Sequence, residues 1–459
     1  MVVVARTPRA LRAVFAAHPA RSTVWAFAAV IAVGAVLLAL PVASEGPVPT
    51  DFVDALFTST SAVCVTGLAV VDTGAHWSGF GEGVILALIQ VGGFGIMTMA
   101  SLLALLVSGR LRLRMQLTAA AETKSFGIGD VRKLLLGVAG STLIVELAVG
   151  AVLALRFRYG YGEGIGRATY LGYFHAVSAF NNAGFGLHAD SLTRYVQDPW
   201  VTLPIAAAVI LGGIGFPVFL EVLRHRHRRR TTGRRNWTLH TKLTLITTAA
   251  LLVAGTVLTC LLEWTNPGTL GPLGWGQKLL GGFFHSAMSR TAGFNALDIG
   301  ALHASTLLMT CVLMFIGGGS AGTAGGIKVT TFAVLASAIL AEVRGEPTAA
   351  VLGRRIAPQA LRQALTVTLL GIGLVMSATL ALLAMTEESL EAVLFEVVSA
   401  FGTVGLSTGI TADLPTAGHL ILIALMFIGR LGPITLVSAL ALRERTRRYE
   451  LPEERPVIG

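Results

Sequence analysis

The stretch FEVVSAFGTVG (395–405) decides the fold, because three other segments of the chain repeat its pattern. Each segment begins with Phe and carries a glycine ten residues later: FTSTSAVCVTG (57–67), FHAVSAFNNAG (174–184) and FFHSAMSRTAG (283–293). The four glycines follow one another at intervals of 117, 109 and 112 residues. A serine stands six residues before the glycine in three copies, as Ser61, Ser178 and Ser399, and Ala287 takes its place in the third. Self-similarity at such a regular spacing predicts a fourfold internal repeat.

Composition places the chain in a membrane. Only 13% of its 459 residues are charged, against about 25% in a typical soluble domain, and its mean hydropathy is +0.72. Eight apolar windows reach the roughly 20 residues that a helix needs to cross a bilayer. The first is too long for a signal peptide and seven more follow it, so we interpret it as a retained helix. The windows are 25–44, 83–107, 134–155, 201–223, 243–262, 305–340, 364–385 and 420–442.

The distribution of basic residues predicts the orientation of the chain. Most of its 35 Lys and Arg residues lie in alternate gaps between apolar windows, the pattern of cytoplasmic loops, with Arg156, Arg158 and Arg167 as exceptions. We therefore expect a multi-pass protein with both termini in the cytoplasm and no nucleic-acid partner, despite a net charge of +10. The basic run RHRHRRR (224–230) is typical of an anchor beside anionic lipid headgroups. The basic gaps are 1–24, 109–133, 224–242, 342–362 and 443–459.

These patterns predict an all-α polytopic membrane protein of four helix–pore-loop–helix repeats around a central pore. It would contain eight transmembrane helices and four half-helices. The predicted boundaries are a cytoplasmic segment at 1–24, pore repeats at 25–108, 109–224, 225–341 and 342–443, and a cytoplasmic tail at 444–459.

The repeated glycine predicts what the short segments do. Each segment is too short to span the membrane, and the chain after it must adopt backbone conformations, often with positive φ, that only glycine reaches at low cost. Non-helical backbone at membrane depth is tolerated where it lines a water-filled path or is buried in protein. In the fourth copy TVGLS (403–407) is close to TVGYG, whose carbonyls replace the hydration shell of K+ in channels.

We therefore predict a potassium selectivity filter whose backbone carbonyls bind K+, as opposed to four interfacial hairpins that merely pack. The predicted filter residues are Val65, Thr66, Gly67, Leu68, Asn182, Ala183, Gly184, Phe185, Thr291, Ala292, Gly293, Phe294, Thr403, Val404, Gly405 and Leu406.

The sixth window, 305–340, is predicted to break in its middle. As one helix its 36 residues would be about 54 Å long, too long for a core of about 30 Å. Six glycines lie between 317 and 326, and glycine is unfavourable inside helices. We expect half-helices at 302–316 and 327–341, joined by a loop in the conduction path. A small-residue helix-packing surface is the alternative, and a phosphate-binding loop is excluded because Ile327 separates Gly326 from Lys328.

Two positive charges stand inside apolar segments: Lys328 after this loop, and Arg430 in the eighth window. Such charges usually face a cavity or a partner. Arg430 near the axis would oppose the passage of cations; alternatively, it is tied to backbone carbonyls or to Glu221.

With four such loops and the segment GGGSAGTAGGIKVTT (317–331), the chain resembles the Ktr/Trk potassium-transporter superfamily, which includes the plant high-affinity potassium transporters. The resemblance extends from about 20 to 445 and is closest to the bacterial Ktr membrane subunit, because the chain lacks extra N-terminal helices.

The resemblance implies a homodimer with one pore per subunit in the bacterial cell membrane, working with a cytosolic RCK-type nucleotide-binding regulatory ring. It implies K+ as the transported ion and Na+ as a candidate activator. Gly67 favours K+, since relatives with serine there favour Na+. The chain has no nucleotide-binding sequence of its own. The resemblance also implies an intramembrane gate formed by Gly317, Gly318, Gly319, Ser320, Ala321, Gly322, Thr323, Ala324, Gly325, Gly326, Lys328 and Arg430.

Three alternatives to potassium uptake were weighed. The first keeps the fold and changes the ion, as in a sodium-permeable or Na+-coupled K+ transporter. The second is a secondary carrier for an organic solute, which would usually show two inverted repeats instead of four with one orientation. The third is an enzyme, which we do not expect, because no catalytic set, metal-ligand spacing or paired intramembrane carboxylates occur.

Overall fold

A computed structural model describes residues 19–46, 49–95, 131–228 and 237–432. This part of the chain is almost entirely helical, apart from three 3-10 turns and one short hairpin, β1 (Ala350–Val351) and β2 (Arg354–Arg355). The helices are α1 (Pro19–Leu38), α2 (Phe52–Cys64), α3 (Thr73–His76), α4 (Gly79–Phe94), α5 (Val131–Gly160), α6 (Ile165–Phe180), α7 (Pro199–Gly213), α8 (Phe216–Arg228), α9 (Leu239–Glu263), α10 (Trp275–Met288), α11 (Ala304–Phe315), α12 (Val329–Val343), α13 (Pro358–Leu383), α14 (Leu390–Gly402) and α15 (Thr416–Leu431).

Each of the four repeated Phe–Gly segments forms a short helix that ends before its glycine. These short helices are α2, α6, α10 and α14, and they have 13 to 16 residues, fewer than a membrane span needs. The first and last begin with a capping side chain, since Asp51 accepts from the amide of Val53 and Ser389 from that of Ala392. The prediction of a half-helix in each repeat agrees with this arrangement.

The second helix of each repeat packs against the short helix of the next repeat. Helix α4 contacts α6, α7 contacts α10, α11 contacts α14, and α15 closes the cycle by contacting α2. The four repeats therefore surround one axis in chain order.

A second glycine, 24 to 28 residues after the repeated one, makes a close backbone contact in three repeats. A Cβ atom on Gly92 would lie 2.0 Å from the carbonyl oxygen of Val63, and one on Gly212 would lie 1.9 Å from that of Phe180. Gly429 has the same relation to the carbonyl of Phe401, again at 1.9 Å. Any side chain at these positions would push the second helix away from the end of its own short helix, so glycine is required there for the packing.

Helix length alone supports fewer crossings than the sequence predicts. Three described helices are long and apolar enough to cross a membrane: Leu135–Gly160, Leu239–Glu263 and Pro358–Leu383. A fourth candidate is the pair Pro199–Gly213 and Phe216–Leu223, which is bent by 103°. The eight-crossing count thus stays a prediction. The predicted cytoplasmic tail at 444–459, most of the N-terminal segment 1–24 and the side chains of the basic run 224–230 lie outside the described part.

The fourth apolar window, 201–223, was predicted as one continuous span, and this prediction is wrong. The chain leaves the helix after Gly213, passes through Gly215 at φ +100°, and restarts as α8 in a new direction. A Cβ on Gly215 would lie 2.4 Å from the carbonyl oxygen of Ser320, so the bend accommodates the segment that joins α11 to α12.

Two of the three arginines that depart from the predicted charge pattern are paired with carboxylates close to them. Arg156 Nε donates to Asp198 at 2.7 Å, and the Tyr161 hydroxyl donates to the same carboxylate at 2.8 Å. Arg167 lies 3.7 Å from Glu163, one turn away on the same helical surface. Local carboxylates therefore offset these positive charges.

Candidate functional site

The four repeated glycines meet in a closed ring. A Cβ on Gly67 would lie 2.4 Å from the carbonyl oxygen of Ala183, and one on Gly184 would lie 2.8 Å from that of Ala292. The same relation joins Gly293 to Val404 at 2.5 Å and returns from Gly405 to Thr66 at 2.1 Å. Each glycine thus faces the carbonyl that precedes the glycine of the next repeat, and the backbone of the four segments 65–68, 182–185, 291–294 and 403–406, called here the glycine loops, lies around a common axis.

The backbone of every glycine loop contains two residues with positive φ. The glycines have φ values of +97°, +72°, +71° and +96° in chain order, as the sequence predicts. Two residues earlier, Val65, Asn182, Thr291 and Thr403 also lie in the left-handed region. Three of these four are β-branched, for which this conformation is strained. The fold holds these strained residues in place, which is typical of functional backbone.

The recurring serine caps the glycine loop in two repeats. Ser61 Oγ accepts from the amide of Gly67 at 3.0 Å, and Ser399 Oγ accepts from the amide of Gly405 at 3.1 Å. Both serines are fully buried. In the second repeat the Ser178 hydroxyl has no hydrogen-bond partner, and Ala287 has no hydroxyl, so this support is limited to the first and fourth repeats.

The sixth window breaks as predicted, and its Gly-rich loop (317–326) lies against the glycine loops. Its half-helices run Ala304–Phe315 and Val329–Val343, each boundary within two residues of prediction. The Gly319 amide donates to Gly213 O at 2.7 Å, and the Thr323 amide donates to Gly212 O at 3.3 Å. A Cβ on Gly325 would lie 1.9 Å from Thr403 Oγ1, at the start of the fourth glycine loop. Small residues all round this loop therefore serve close contact with several neighbours, and the continuous small-residue helix weighed as the alternative does not form.

Arg430 joins three repeats by hydrogen bonds beside the Gly-rich loop. Its guanidinium donates to the carbonyl oxygen of Thr323 in the Gly-rich loop and, at 2.6 Å, to the carbonyl oxygen of Gly92 at the end of α4. The alternative in which Arg430 is tied to backbone carbonyls is therefore confirmed. Glu221, the other partner considered, accepts from Thr238 and Thr241.

Lys328, two residues after the Gly-rich loop, stabilises the end of that loop. Its Nζ donates to the carbonyl oxygens of Ala324 at 2.7 Å and Gly325 at 3.2 Å. These bonds close the end of the loop just before α12 begins. The ammonium group of Lys328 and the guanidinium group of Arg430 are therefore both hydrogen-bonded to backbone carbonyls.

Comparison with known proteins fits this geometry. The family model described as TrkH, cation transport protein, matches residues 13–447. The chain belongs to the TrkH family. It is 41% identical to the Ktr system potassium uptake protein B of Bacillus subtilis, over 91% of this chain and 92% of that protein. The protein of the same name from Vibrio alginolyticus is 40% identical, over 94% and 93% of the two chains.

Two further relatives bear on ion and fold. The potassium/sodium uptake protein NtpJ of Enterococcus hirae is 35% identical over 94% of this chain and 95% of its own length. The crystal structure of the potassium transporter TrkH from Vibrio parahaemolyticus matches with a TM-score of 0.71 over 91% of this chain and 84% of that one, at 17% identity. At that identity the likeness concerns the fold, and it agrees with the predicted fold class.

Sequence reasoning missed two buried polar contacts of this TrkH-family chain. Asn182 takes a hydrogen bond from Thr323, and Asn181 donates to Gln90 Oε1 at 2.9 Å and Glu146 Oε1 at 3.1 Å. Glu146, a carboxylate inside the apolar window 134–155, therefore contacts the residue that precedes the second glycine loop. The pair NN (181–182) before a glycine was the visible signal, because asparagine is a costly residue to bury unless its amide is bonded.

Proposed function

We propose that this chain takes up potassium ions across the cell membrane through a channel-like pore. The observation that carries the proposal is the closed ring of four glycine loops, each glycine against the carbonyl of the next loop. The two Ktr relatives at 41% and 40% identity are named potassium uptake proteins, which supports the same cargo here.

In this proposal the glycine loops are the selectivity filter. Backbone carbonyls around the ring replace the water shell of K+, and the four half-helices direct the negative ends of their dipoles towards a cation below it. Only glycine permits the approach, since a side chain would occupy the space of a neighbouring carbonyl. The residue two positions before each glycine is held in a strained left-handed conformation. This conformation ends the half-helix and turns the following carbonyls towards the axis.

In this proposal the Gly-rich loop is the gate. The two hydrogen bonds of Arg430 are called its latch, because they hold the loop in the closed position. The loop lies beside Thr403, at the start of the fourth filter segment. Arg430 donates hydrogen bonds to the Thr323 carbonyl in the loop and to the Gly92 carbonyl in the first repeat. Lys328 adds a second positive charge near the path and keeps the loop folded. Opening then requires Arg430 to release the Thr323 carbonyl, so that the Gly-rich loop can shift.

The finer features of assembly are part of the same proposal. The chain would form a homodimer in the bacterial cell membrane with cytoplasmic termini, organised as four pore repeats, and would bind a cytosolic RCK-type ring that senses nucleotide. The name "Ktr system" of its relatives supports a partner of some kind. K+ would be the cargo, and Na+ an activator.

Rescue of a potassium-uptake-deficient bacterium tests the proposal. Cells that express the chain with a regulatory subunit should grow at low external K+, and their K+ content should rise after K+ addition. Cells with the empty vector and cells with a Gly67→Arg variant, whose side chain would enter the ring, serve as controls. Absence of K+ uptake by a membrane-inserted, correctly sized protein would overturn the proposal.

Sodium permeation is the second candidate function, and one observation favours it. The glycine loops are unequal in sequence, reading VTGL, NAGF, TAGF and TVGL, and a less uniform ring should discriminate less sharply. NtpJ, a relative at 35% identity, is named a potassium/sodium uptake protein. Reversal potentials under biionic K+/Na+ conditions distinguish the two: a selective pore gives a potential far from zero, whereas equal permeability gives one near zero.

A further inference from the structure

Asn182 joins the Gly-rich loop to two glycine loops by its side chain. Thr323 Oγ1 donates to Asn182 Oδ1 at 2.8 Å, and Asn182 Nδ2 donates to Thr291 Oγ1 at 3.4 Å. All three residues are at most 1% exposed. A continuous buried relay therefore runs from the middle of the Gly-rich loop, through the second glycine loop, to the third.

The Asn182 amide has little room to find other partners. A Cβ on Gly212 would lie 3.0 Å from its Oδ1, and one on Gly213 would lie 3.2 Å from its Nδ2, so the amide fits between the last residues of α7 only because these are glycines. Its backbone lies at φ +59°, a region that asparagine enters more readily than other non-glycine residues. The orientation of this amide is thus set by Thr323 and Thr291.

The equivalent positions in the other repeats make no such link in the described structure. Val65 has no polar side chain, and the Thr403 hydroxyl has no hydrogen-bond partner although it lies against Gly325. Thr291 is reached through Asn182 itself. The side-chain connection between the Gly-rich loop and the glycine loops therefore passes through the second repeat.

A movement of the Gly-rich loop away from the bend between α7 and α8 breaks this connection. Thr323 lies within the loop, and its carbonyl is held by Arg430 on one side while its hydroxyl is held by Asn182 on the other. If the loop leaves the bend between α7 and α8, Asn182 Oδ1 loses its donor in a place where water has little access. The amide then reorients, and the backbone of the second glycine loop, already in a left-handed conformation, loses its side-chain constraint.

We propose that Asn182 is a specificity-determining positioning residue that couples the Gly-rich loop to ion discrimination. The conducting pore keeps Thr323 bonded to Asn182 after Arg430 has released the Thr323 carbonyl, and its K+/Na+ selectivity falls when the Thr323–Asn182–Thr291 relay is broken. The inference rests on the proposed function, because it takes the glycine loops as a filter.

The test measures biionic K+/Na+ reversal potentials of the full-length protein in lipid vesicles, with its regulatory subunit. A reversal potential is independent of how many pores are active, so a loss of folded protein does not imitate a change in selectivity. Thr323→Val keeps the shape and removes the donor, and we expect the permeability ratio to fall roughly fivefold, the equilibrium factor for one neutral hydrogen bond. Thr323→Ser, which retains the hydroxyl, should restore the ratio.

Thr330→Val is the matched control. Its hydroxyl contacts Ser320 of the same loop at 3.3 Å and does not reach the glycine loops by a described hydrogen bond. The variant should leave the reversal potential unchanged. Thr291→Val breaks the other end of the relay and should shift the potential in the same direction as Thr323→Val, which keeps the proposal testable if Thr323→Val does not fold.

Two outcomes would overturn the inference: an unchanged reversal potential in both Thr323→Val and Thr291→Val, or an equal shift in Thr330→Val. Failure of the proposed function has a different signature, namely a wild-type protein that carries no K+ current in the same vesicles.

Discussion

At the scale of single residues, Gly405 shows why the ring admits no side chain. A Cβ there would lie 2.1 Å from the carbonyl oxygen of Thr66 and 3.0 Å from the Cα of Gly67, and the residue has φ +96°. We expect Gly405→Ser to reduce the K+/Na+ permeability ratio at least severalfold, because the fourth loop must retreat and the carbonyls of the first lose their spacing. Biionic reversal potentials measure this ratio.

Gly409 offers the matched control for that substitution. It has φ +105°, so a side chain there meets the same backbone strain, but nothing lies within 4 Å of the position of its Cβ. Gly409→Ser should therefore keep the selectivity of the wild type. If Gly405→Ser also keeps it, the assignment of the fourth glycine loop to the filter is wrong.

Arg430 provides the second residue-scale prediction. Its guanidinium holds the carbonyl oxygens of Thr323 and Gly92, and hydrogen bonds to a charged group contribute about 1.5–3 kcal/mol each. Arg430→Met removes both bonds and the positive charge, so K+ flux should increase severalfold as the Gly-rich loop loses its latch. Tracer uptake into vesicles, normalised to the amount of inserted protein, measures this.

Arg430→Lys separates the latch from the charge. The lysine keeps a positive charge but lacks the planar fork that reaches two carbonyls at once. If the latch controls flux, Arg430→Lys should be intermediate. A flux at or below the wild-type value in both variants would mean that Arg430 does not hold a gate closed.

At the scale of elements, the second helix ends at the same kind of glycine motif in three repeats, and the sequence shows only its first glycine as a recurring landmark, 24 to 28 residues after each repeated glycine. Helices α4 and α15 end just before Gly95 and Gly432, and α7 ends just before the bend at Gly215, all three glycines with positive φ. In the chain these read GGFG (92–95), GRLG (429–432) and GGIG (212–215), and the third repeat has GGGS (317–320). The break in the sixth window was predicted because six glycines interrupt it. The bend at Gly215 was missed because the length and mean apolarity of 201–223 favoured a single span, although GGIGFP (212–217) is a helix-breaking pattern in its middle.

The Gly-rich loop gives the prediction at this scale. Deleting 318–325 removes the contacts with Gly212 and Gly213 and the segment beside Thr403, so we expect K+ flux to increase. Gly319→Ala is a milder version, because its Cβ would lie 1.9 Å from the carbonyl oxygen of Ile214 and would displace the loop from the α7–α8 bend. Flux per inserted protein is the measurement for both.

A glycine-to-alanine change at an exposed position of α13 controls for insertion and folding. Gly373 is exposed and has nothing within 4 Å of its Cβ position, so Gly373→Ala should leave flux unchanged. Wild-type flux in a folded deletion variant would remove the gate role from this loop.

At the scale of the whole molecule, the sequence predicted the parts better than their contacts. Four glycine loops, four half-helices and the broken sixth window all follow from local spacing and composition. The Asn182–Thr323 bond joins residues 141 positions apart, and the Gly405–Thr66 contact joins the last repeat to the first, so no local pattern contains either. The ring therefore closes only when all four repeats are assembled. Each repeat supplies one glycine and one carbonyl to it.

Under the proposed function, closure of the ring makes K+ binding contribute to the stability of the folded protein. A cation held by carbonyls from all four repeats binds the folded ring and not the unfolded chain, so K+ should stabilise the protein by about 2.7 kcal/mol at 100 times its dissociation constant. We expect the purified protein to unfold at a higher temperature in KCl than in choline chloride of equal ionic strength. Gly405→Ser should lose this difference, while Gly409→Ser should retain it. An equal unfolding temperature of the wild type in the two salts would indicate that the ring holds no potassium ion. The ring would then be a packing feature of the fold and not the proposed K+ site.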